Sequence, residues 1–285
     1  MQLAIITDEI TQDFTHALEV CAALGVKTIE LREIEGKNIV FHDEDSLRRI
    51  KALVEQAGMR VCAIDPPLLK CHFWKDAYRP GAEALTQFPA SPLDTEQQQW
   101  HIFESALAIA PFFGASMVRI FSFWRTFPTA MRTEILHVLL AFLPRLEAAS
   151  LTLVLENEHA CNIATGAEAR WLLDRINSPN FGVIWDPGNA AKLIASPFPS
   201  DYQQVRGRVL HVHVKDVDAQ GHFVRLGTGK INYVGQLRAL AEDGYDGMLS
   251  LETHYAEPHG GREQATRDSL AALRDLCQQA KVTLD

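Results

Sequence analysis

Residues 151–159 read LTLVLENEH, and residues 181–189 read FGVIWDPGN. Each stretch begins as an apolar run typical of a buried strand and ends on a carboxylate, Glu156 in the first and Asp186 in the second. Residues Gly166–Ile176, between the two runs, have the apolar spacing of a helix. A strand, a helix and a second strand in this order predict two parallel strands joined by a right-handed crossover.

The same alternation of strand and helix recurs along the whole chain of 285 residues. The strand-like runs are LAIIT from Leu3, KTIEL from Lys27, RVCAI from Arg60, SMVRIF from Ser116, LTLVLE from Leu151, FGVIW from Phe181, VLHVHV from Val209 and MLSLE from Met248. The helix candidates are Asp13–Leu24, Glu44–Ala57, Asp94–Phe112, Thr129–Ala149, Gly166–Ile176, Asn189–Ile194, Val234–Asp243 and Arg262–Ala280.

Eight strand–helix units in a chain of this length predict a single α/β domain over residues 1–285, folded as a closed (β/α)8 barrel. An open doubly wound sheet is the main rival. Such a sheet usually has a glycine-rich turn after its first strand, where this chain has Thr7, Asp8 and Glu9. The sequence therefore favours the barrel.

A long connection follows the third strand, over about residues 65–93. Its prolines are Pro66, Pro67, Pro80, Pro89 and Pro92. Long ordered loops are often lids or binding loops. A surface excursion or a contact between subunits explains the same composition equally well.

The composition limits the classes of partner. Lys and Arg total 27 and Asp and Glu total 36, which gives a formal net charge of -9. Binding of a nucleic acid rests on many contacts from Lys and Arg to phosphates, so this balance argues against it. No run reaches the ~18 apolar residues that a membrane span needs. We therefore expect a small-molecule substrate and neither a nucleic acid nor a membrane as partner.

The opening residues and the cysteines predict a cytoplasmic protein. The opening, MQLAIITDEI, has no basic segment followed by an apolar core, which argues against a signal peptide. The cysteines are scattered and form no C-x-x-C pair, as is typical of a chain kept reduced in the cytoplasm.

Catalytic groups in such barrels lie at the C-terminal ends of the strands. Four consecutive strands end there in Glu156, Asp186, His213 and Glu252. Glu156 alternates with Leu155, which faces the helices, so the Glu156 side chain is expected to point into the barrel. Three clustered carboxylates without a cation would repel one another and raise one another's pKa. We therefore predict one divalent metal ion at these four residues. Their oxygen-rich set favours Mn²⁺ or Mg²⁺ and is also compatible with Co²⁺ and Zn²⁺.

Polar side chains beside these strand ends are candidates for binding a substrate. They are Glu158 and His159 after Glu156, Lys215 after His213, His254 after Glu252, and Glu30 and Arg32 at the end of the second strand. Trp124, after the fourth strand, is a candidate wall of a pocket. Each has an ordinary alternative, namely a loop histidine, a surface charge, an ion pair within the barrel or an aromatic ring that only packs. His211 faces the same way as His213 one layer deeper, so we expect it to be hydrogen-bonded within the barrel.

Several spans together resemble the sugar phosphate isomerase/epimerase family, the xylose-isomerase-like TIM barrels. The spans are LVLENEH, VIWDPGN, LHVHVKD, LGTGKINY and GYDGMLSLETH, with TDEITQDFTHAL and IELREIEGKN in the N-terminal part. The resemblance covers most of the chain. It implies a TIM barrel and, from the habit of the family, a homodimer or homotetramer.

The resemblance also implies roles for individual residues. Glu156, Asp186, His213 and Glu252 match the four metal ligands of the family, and in its epimerases the two glutamates also act as the acid–base pair. Arg225 lies near the position where epimerases have an arginine that helps to hold the ligand shell. One departure stands out, because epimerases and endonuclease IV usually have a histidine where this chain has Asn189.

These observations predict a metal-dependent sugar, sugar phosphate or keto-polyol isomerase or epimerase. The metal would bind the carbonyl and hydroxyl oxygens of the substrate, and Glu156 and Glu252 would remove and return a proton through an enediolate. Loss of a β-hydroxyl from the same intermediate gives the alternative, a dehydratase of the inosose or dehydroshikimate type. An endonuclease IV-like phosphodiesterase is disfavoured by the charge, by Asn189, and by Gly221 and Phe223, which replace an expected Asp-x-His pair. A barrel that binds a ligand without turnover is a further alternative.

Overall fold

The structure is a computed structural model that describes residues 1–74 and 88–285. Residues 75–87 belong to the loop predicted over residues 65–93, so that part of the prediction lies outside the described residues. In the described part of the chain, no helix has both the length and the apolar character needed to cross a membrane.

Eight parallel strands form a closed barrel, which confirms the predicted fold. The strands are β1 (Gln2–Ile6), β2 (Thr28–Leu31), β3 (Arg60–Ile64), β4 (Met117–Ile120), β5 (Thr152–Glu156), β6 (Phe181–Trp185), β7 (Val209–Val214) and β8 (Met248–Leu251). Each strand pairs with its neighbours in the sequence, and β1 pairs with β8 to close the ring. All eight C-terminal ends therefore lie on one rim.

Helices surround the barrel in the described ranges. They are α1 (Phe14–Ala23), α2 (Glu44–Gln56), α3 (Glu96–Phe113), α4 (Pro128–Ala148), α5 (Gly166–Leu173), α6 (Pro187–Ala191), α7 (Tyr202–Val205), α8 (Tyr233–Glu242) and α9 (Gly261–Ala280). Aspartate and threonine side chains cap several of them; Asp43, for example, accepts a hydrogen bond from the Ser46 N–H at the start of α2. At the other end of a helix, Gly114 follows α3 with φ of 73°, where glycine has no steric cost.

The helix after β6 begins earlier than the sequence predicts. It was expected over Asn189–Ile194, but α6 covers Pro187–Ala191. The reason is local, because the Asp186 side chain accepts a hydrogen bond from the Asn189 N–H and Pro187 takes the first helical position. The short helix α7 was not predicted, and its four residues are too few to show a helical period.

The side chains inside the barrel are apolar at its N-terminal end and polar at its C-terminal end. The main apolar core lies between the strands and the helices. A small separate cluster of Ala4, Cys62 and Ala63 packs against Met117 and Met248, the first residues of β4 and β8. The other end of the interior is filled by buried polar side chains, including Glu30, His211, His213 and Arg119. Charge is therefore concentrated at the C-terminal rim.

Two short hairpins follow strand ends at this rim. Residues Glu33–Ile34 pair with Lys37–Asn38 after β2. Residues Asp216–Val217 pair with Phe223–Val224 after β7. Because both follow C-terminal ends of strands, they frame the same end of the barrel as the predicted metal ligands.

Candidate metal centre

Four side chains from neighbouring strands meet at the rim. Glu156, Asp186, His213 and Glu252 each offer one ligand atom, and the four atoms all lie within 4.8 Å of one another. All four residues are almost completely buried. The structure thus brings together the four residues that the sequence predicts to bind a metal.

Backbone pairing places these side chains. His213 lies beside Ser250 in the pairing of β7 with β8, and the Glu252 N–H donates to the Val214 carbonyl. Asp186 is held by the amide of Asn157, which accepts from the Asp186 N–H and donates to its carbonyl, both at 2.8 Å. Because Asp186 Oδ1 accepts from the helix α6 backbone, its other oxygen is left for the centre.

A buried ammonium group lies among the carboxylates. Lys215 Nζ is 2.7 Å from Asp186 Oδ2 and 3.8 Å from Glu156 Oε1, and it contacts Glu252 Oε2. The Lys215 side chain is fully buried. The sequence predicted this lysine to bind substrate, whereas the structure places it against the predicted metal ligands themselves.

Two arginines hold the other oxygens of the glutamates. Arg119 Nη1 donates to Glu156 Oε2 at 3.2 Å, and Arg32 Nη1 donates to Glu252 Oε1 at 2.5 Å. Arg32 also donates to Asp8 and Glu9, two carboxylates that follow β1. Each glutamate is therefore oriented by a cation on the side away from the ligand cluster.

The electrostatic balance differs among the three carboxyl groups. Burial raises the pKa of Asp186 to about 6, despite the adjacent Lys215 ammonium. Burial acts in the same direction on Glu252, but Lys215, His254 and His213 hold the pKa of that carboxyl well below its usual range. Burial and the Glu252 charge raise the pKa of Glu156, and His213 and Arg119 outweigh them, so the net shift is downward. At neutral pH all three groups favour the ionised form that a metal needs.

The donor set fits a divalent cation. His213 Nδ1 is buried, has no hydrogen-bond partner among the described residues, and lies 3.4 Å from both Glu156 Oε1 and Glu252 Oε2. Three carboxylates and one imidazole match the preferences of Mn²⁺, Mg²⁺ or Zn²⁺. Lys215 contacts the same oxygens, so a metal ion and the ammonium compete for them.

A cavity of about 550 Å³ opens next to this cluster. Its lining includes Arg32, Lys70, Arg119, Phe121 and His254. A volume of this order holds a small organic molecule.

Other predicted substrate-binding residues lie around the centre. Glu158 Oε2 accepts from Lys70 at 3.0 Å, and its other oxygen lies 2.6 Å from His159 Nδ1. His254 Nδ1 lies 3.0 Å from Glu9 Oε1, and its Nε2 lies 3.5 Å from Glu252 Oε1. Both histidines are partly exposed, as a group that contacts substrate must be.

Three predicted residues are placed elsewhere. Arg225 is exposed and borders a separate surface depression with Asp268 and Asp275. Trp124 stacks on Phe88 with ring centroids 3.9 Å apart. Glu30 is fully buried beneath the centre, without access to the cavity.

Sequence reasoning missed several members of this region. Asp8 and Glu9 follow β1, so the strand-end rule would have found them had it been applied to that strand. Asn189 was noted only as a departure from the family. Its side-chain amide donates to Glu156 Oε1 at 3.0 Å, and its Oδ1 lies 3.1 Å from His159 Nδ1. Phe223 lies near the histidines, with ring centroids 5.1 Å from His254 and 6.4 Å from His159.

The structure has an eight-stranded parallel barrel with a cluster of carboxylates and a histidine at its C-terminal rim. These features place the protein among the TIM barrels with a candidate metal centre. Within that class, the chain belongs to the xylose isomerase-like TIM barrel family, whose profile matches residues 18–276. The uncharacterized protein MJ1311 of Methanocaldococcus jannaschii is 34% identical over 80 residues, a match that covers 27% of this chain and 27% of that protein.

Solved structures share the fold over nearly the whole chain. A D-tagatose 3-epimerase-like protein has a TM-score of 0.75 at 16% identity, covering 99% of this chain and 98% of that one. The IOLI protein with a bound zinc atom has a TM-score of 0.72 at 16% identity, with coverage of 98% and 99%. The probable 3-DHS dehydratase AsbF of Bacillus anthracis has a TM-score of 0.71 at 16% identity, with coverage of 97% and 98%. At these identities the likeness establishes the fold.

Proposed function

We propose that the protein is a divalent-metal-dependent isomerase or epimerase of a sugar or related keto-polyol. The observation that supports this most strongly is the meeting of Glu156 from β5 and Glu252 after β8 at one buried centre. Two glutamates at one site can exchange a proton with the same substrate carbon or with adjacent carbons. The epimerase-like structural neighbour is consistent with this chemistry.

Glu156, Asp186, His213 and Glu252 would hold the metal ion, with Mn²⁺ or Mg²⁺ preferred. When bound, such an ion stabilises negative charge that develops on a substrate carbonyl oxygen. The chain supplies the remaining requirements. Arg119 and Arg32 each fix one oxygen of a glutamate, which keeps the other oxygen of that carboxylate directed at the centre.

The proposed reaction removes a proton from one substrate carbon and returns a proton to the same carbon or to its neighbour. One glutamate accepts the proton from the carbon next to the carbonyl, and the electron pair of the broken C–H bond moves to the carbonyl oxygen, giving an enediolate. The other glutamate, which takes up a proton from solvent before the reaction, gives that proton to carbon, and the first glutamate afterwards releases its proton to solvent. Return to the opposite face of the same carbon gives an epimer. Return to the neighbouring carbon, with transfer of the hydroxyl proton to the former carbonyl oxygen, gives an aldose–ketose isomer.

A dehydratase is the second candidate. The observation that favours it is the partly exposed His254, whose Nε2 lies 3.5 Å from Glu252 Oε1 at the edge of the cavity. A histidine at this place can protonate a leaving hydroxyl group after the glutamate has removed a proton. The fold likeness to a probable dehydratase agrees with this alternative.

Deuterium exchange tests the proposal before any product is known. The protein is incubated in D₂O with Mn²⁺ and a panel of ketoses, keto-polyols and cyclic polyols, the metal is removed with a chelator, and the substrates are analysed by NMR. We expect deuterium at the carbon next to the carbonyl of at least one compound. New epimers, isomers or dehydrated products then separate the candidate reactions. Full metal loading without exchange into any compound would contradict proton abstraction.

A further inference from the structure

A buried carboxylate connects two strands that are not neighbours, across the barrel interior beneath the proposed metal centre. Glu30, on β2, is fully buried. Its Oε1 lies 2.9 Å from His211 Nε2 and its Oε2 lies 3.3 Å from His213 Nε2, both on β7. The two histidines are also completely buried. One carboxylate therefore accepts from two imidazole rings across the barrel interior.

The contact determines which nitrogen of His213 faces the centre. An ionised carboxylate only accepts hydrogen bonds, so the Nε2 of His213 must bear the proton that it shares with Glu30. The other nitrogen, Nδ1, then points at Glu156 and Glu252 and is the nitrogen that a metal ion would meet. A ligating histidine whose second nitrogen donates to a carboxylate is held in one tautomer and one ring orientation.

We propose that Glu30 is the positioning residue of the metal centre, because it fixes the tautomer and ring orientation of His213. The inference rests on the proposed function, since it requires a metal ion at the four ligands. The sequence predicts that Glu30 binds substrate. The proposed role is different, because Glu30 lies one layer below the cavity and contacts His213. His211 occupies the second oxygen of Glu30 and so prevents that carboxylate from turning away from His213.

Glu30, His211 and His213 also satisfy the distance requirement for a metal site of their own. The hydrogen bonds argue against that use. Glu30 already contacts both Nε2 atoms directly at hydrogen-bond distance, so its two oxygens are already used by the histidines. The proposal therefore expects one metal ion per chain.

The test compares wild-type protein with Glu30→Gln and Glu30→Leu. A glutamine can accept from one histidine but donates to the other, so one ring must move its proton to Nδ1, and a leucine removes both acceptors. The affinity for Zn²⁺ is measured by competition with a chromophoric chelator, and the Co²⁺-loaded proteins give a visible spectrum that reports the ligand geometry. We expect Glu30→Leu to bind Zn²⁺ roughly 10- to 100-fold more weakly and to show an altered Co²⁺ spectrum. Glu30→Gln should lie between Glu30→Leu and the wild type, because the glutamine oxygen can still accept from His213. Glu19→Gln, at an exposed site on α1, is the control and should bind as the wild type does.

A measurement on the wild type guards against variants that fail to fold. In the Zn²⁺-loaded protein labelled with ¹⁵N-histidine, NMR should show His213 bound to zinc through Nδ1, with a hydrogen-bonded proton on Nε2. A metal ion bound through Nε2, or a second equivalent of metal bound per chain, would overturn the inference. A folded Glu30→Leu variant with unchanged affinity and spectrum would overturn it too, while leaving the proposed function intact. A wild-type protein that binds no metal would contradict both the inference about Glu30 and the proposed function.

Discussion

The two halves of the barrel contribute different parts of the site. Strands β5 to β8 supply all four proposed ligands, each within the last two residues of its strand or directly after it. Strands β1 to β4 and the segments after them supply Glu9, Glu30, Arg32 and Arg119, which contact those ligands or their neighbours. The comparison teaches that the binding atoms all come from one half of the chain, whereas the groups that orient them come from both halves, since Asn157 and Asn189 also hold ligands from the second half.

Replacement of the glutamates in the second half should have the largest effect. Glu156→Gln and Glu252→Gln each remove an ionised ligand and a proton acceptor, so we expect turnover to fall by about 10²- to 10⁴-fold or more. Steady-state rates on the substrate found by deuterium exchange provide the measurement. Glu55→Gln, at an exposed site on α2, is the control. Wild-type rates in either variant would remove these residues from the mechanism.

Replacement of Arg32 tests the first half. Arg32→Met leaves the buried carboxylates of Asp8, Glu9 and Glu252 without their shared cation. Removing one partner of a buried ion pair typically costs about 3–5 kcal/mol, so we expect a loss of that order in the free energy of unfolding. Urea denaturation measures it. Arg48→Met is the matched control, because Arg48 contacts Glu44 and Asp45 only at the exposed surface of α2. Equal stability of the two variants would mean that the first half does not support the site.

Replacement of Lys215 tests whether its ammonium group competes with a metal ion or organises the ligands that bind it. The ammonium shares oxygens of Asp186 and Glu252 with the proposed ion and repels it. We expect Lys215→Met to bind Zn²⁺ about tenfold more tightly, which corresponds to about 1.4 kcal/mol. Calorimetric titration measures the affinity, with Lys230→Met at an exposed position as control. Weaker binding in the variant would show that Lys215 organises the ligands instead.

The smallest effect is expected at the surface where the two halves meet. The hydrogen bond that His16 on α1 donates to the Glu263 carboxylate on α9 raises the pKa of His16 above its ordinary value of 6.5. A raised pKa in the folded state stabilises the protein fully below the unfolded-state value, and this contribution is lost as the pH rises through the folded-state pKa. The pair is exposed, so water and salt screen it. Urea midpoints of wild type and His16→Asn should converge slightly as the pH rises above 6.5, and a constant difference would contradict this assignment.

Local patterns were sufficient for the fold and for the choice of candidate ligands. The alternation in LTLVLE and the acidic residue that ends it already predict a strand with Glu156 at the rim, and the structure places it there. The partners of those residues could not be predicted in the same way. Arg32 and Glu252 are 220 residues apart, and Glu30 and His211 are 181 residues apart. Such contacts depend on barrel closure and on which of several charged side chains arrives nearest, and neither is visible in a local window of sequence.

The ion pair of Arg32 with Glu252 has a consequence for biosynthesis. Translation runs from the N-terminus, so Arg32, Glu9 and Glu30 emerge from the ribosome long before Glu252 and His254 are synthesised. Until β8 inserts beside β1, the early acidic and basic groups lack their distant counterparts. A nascent chain that ends before Met248 therefore lacks both the closing strand and Glu252, so the barrel and the cluster of Glu156, Asp186, His213 and Glu252 are completed together.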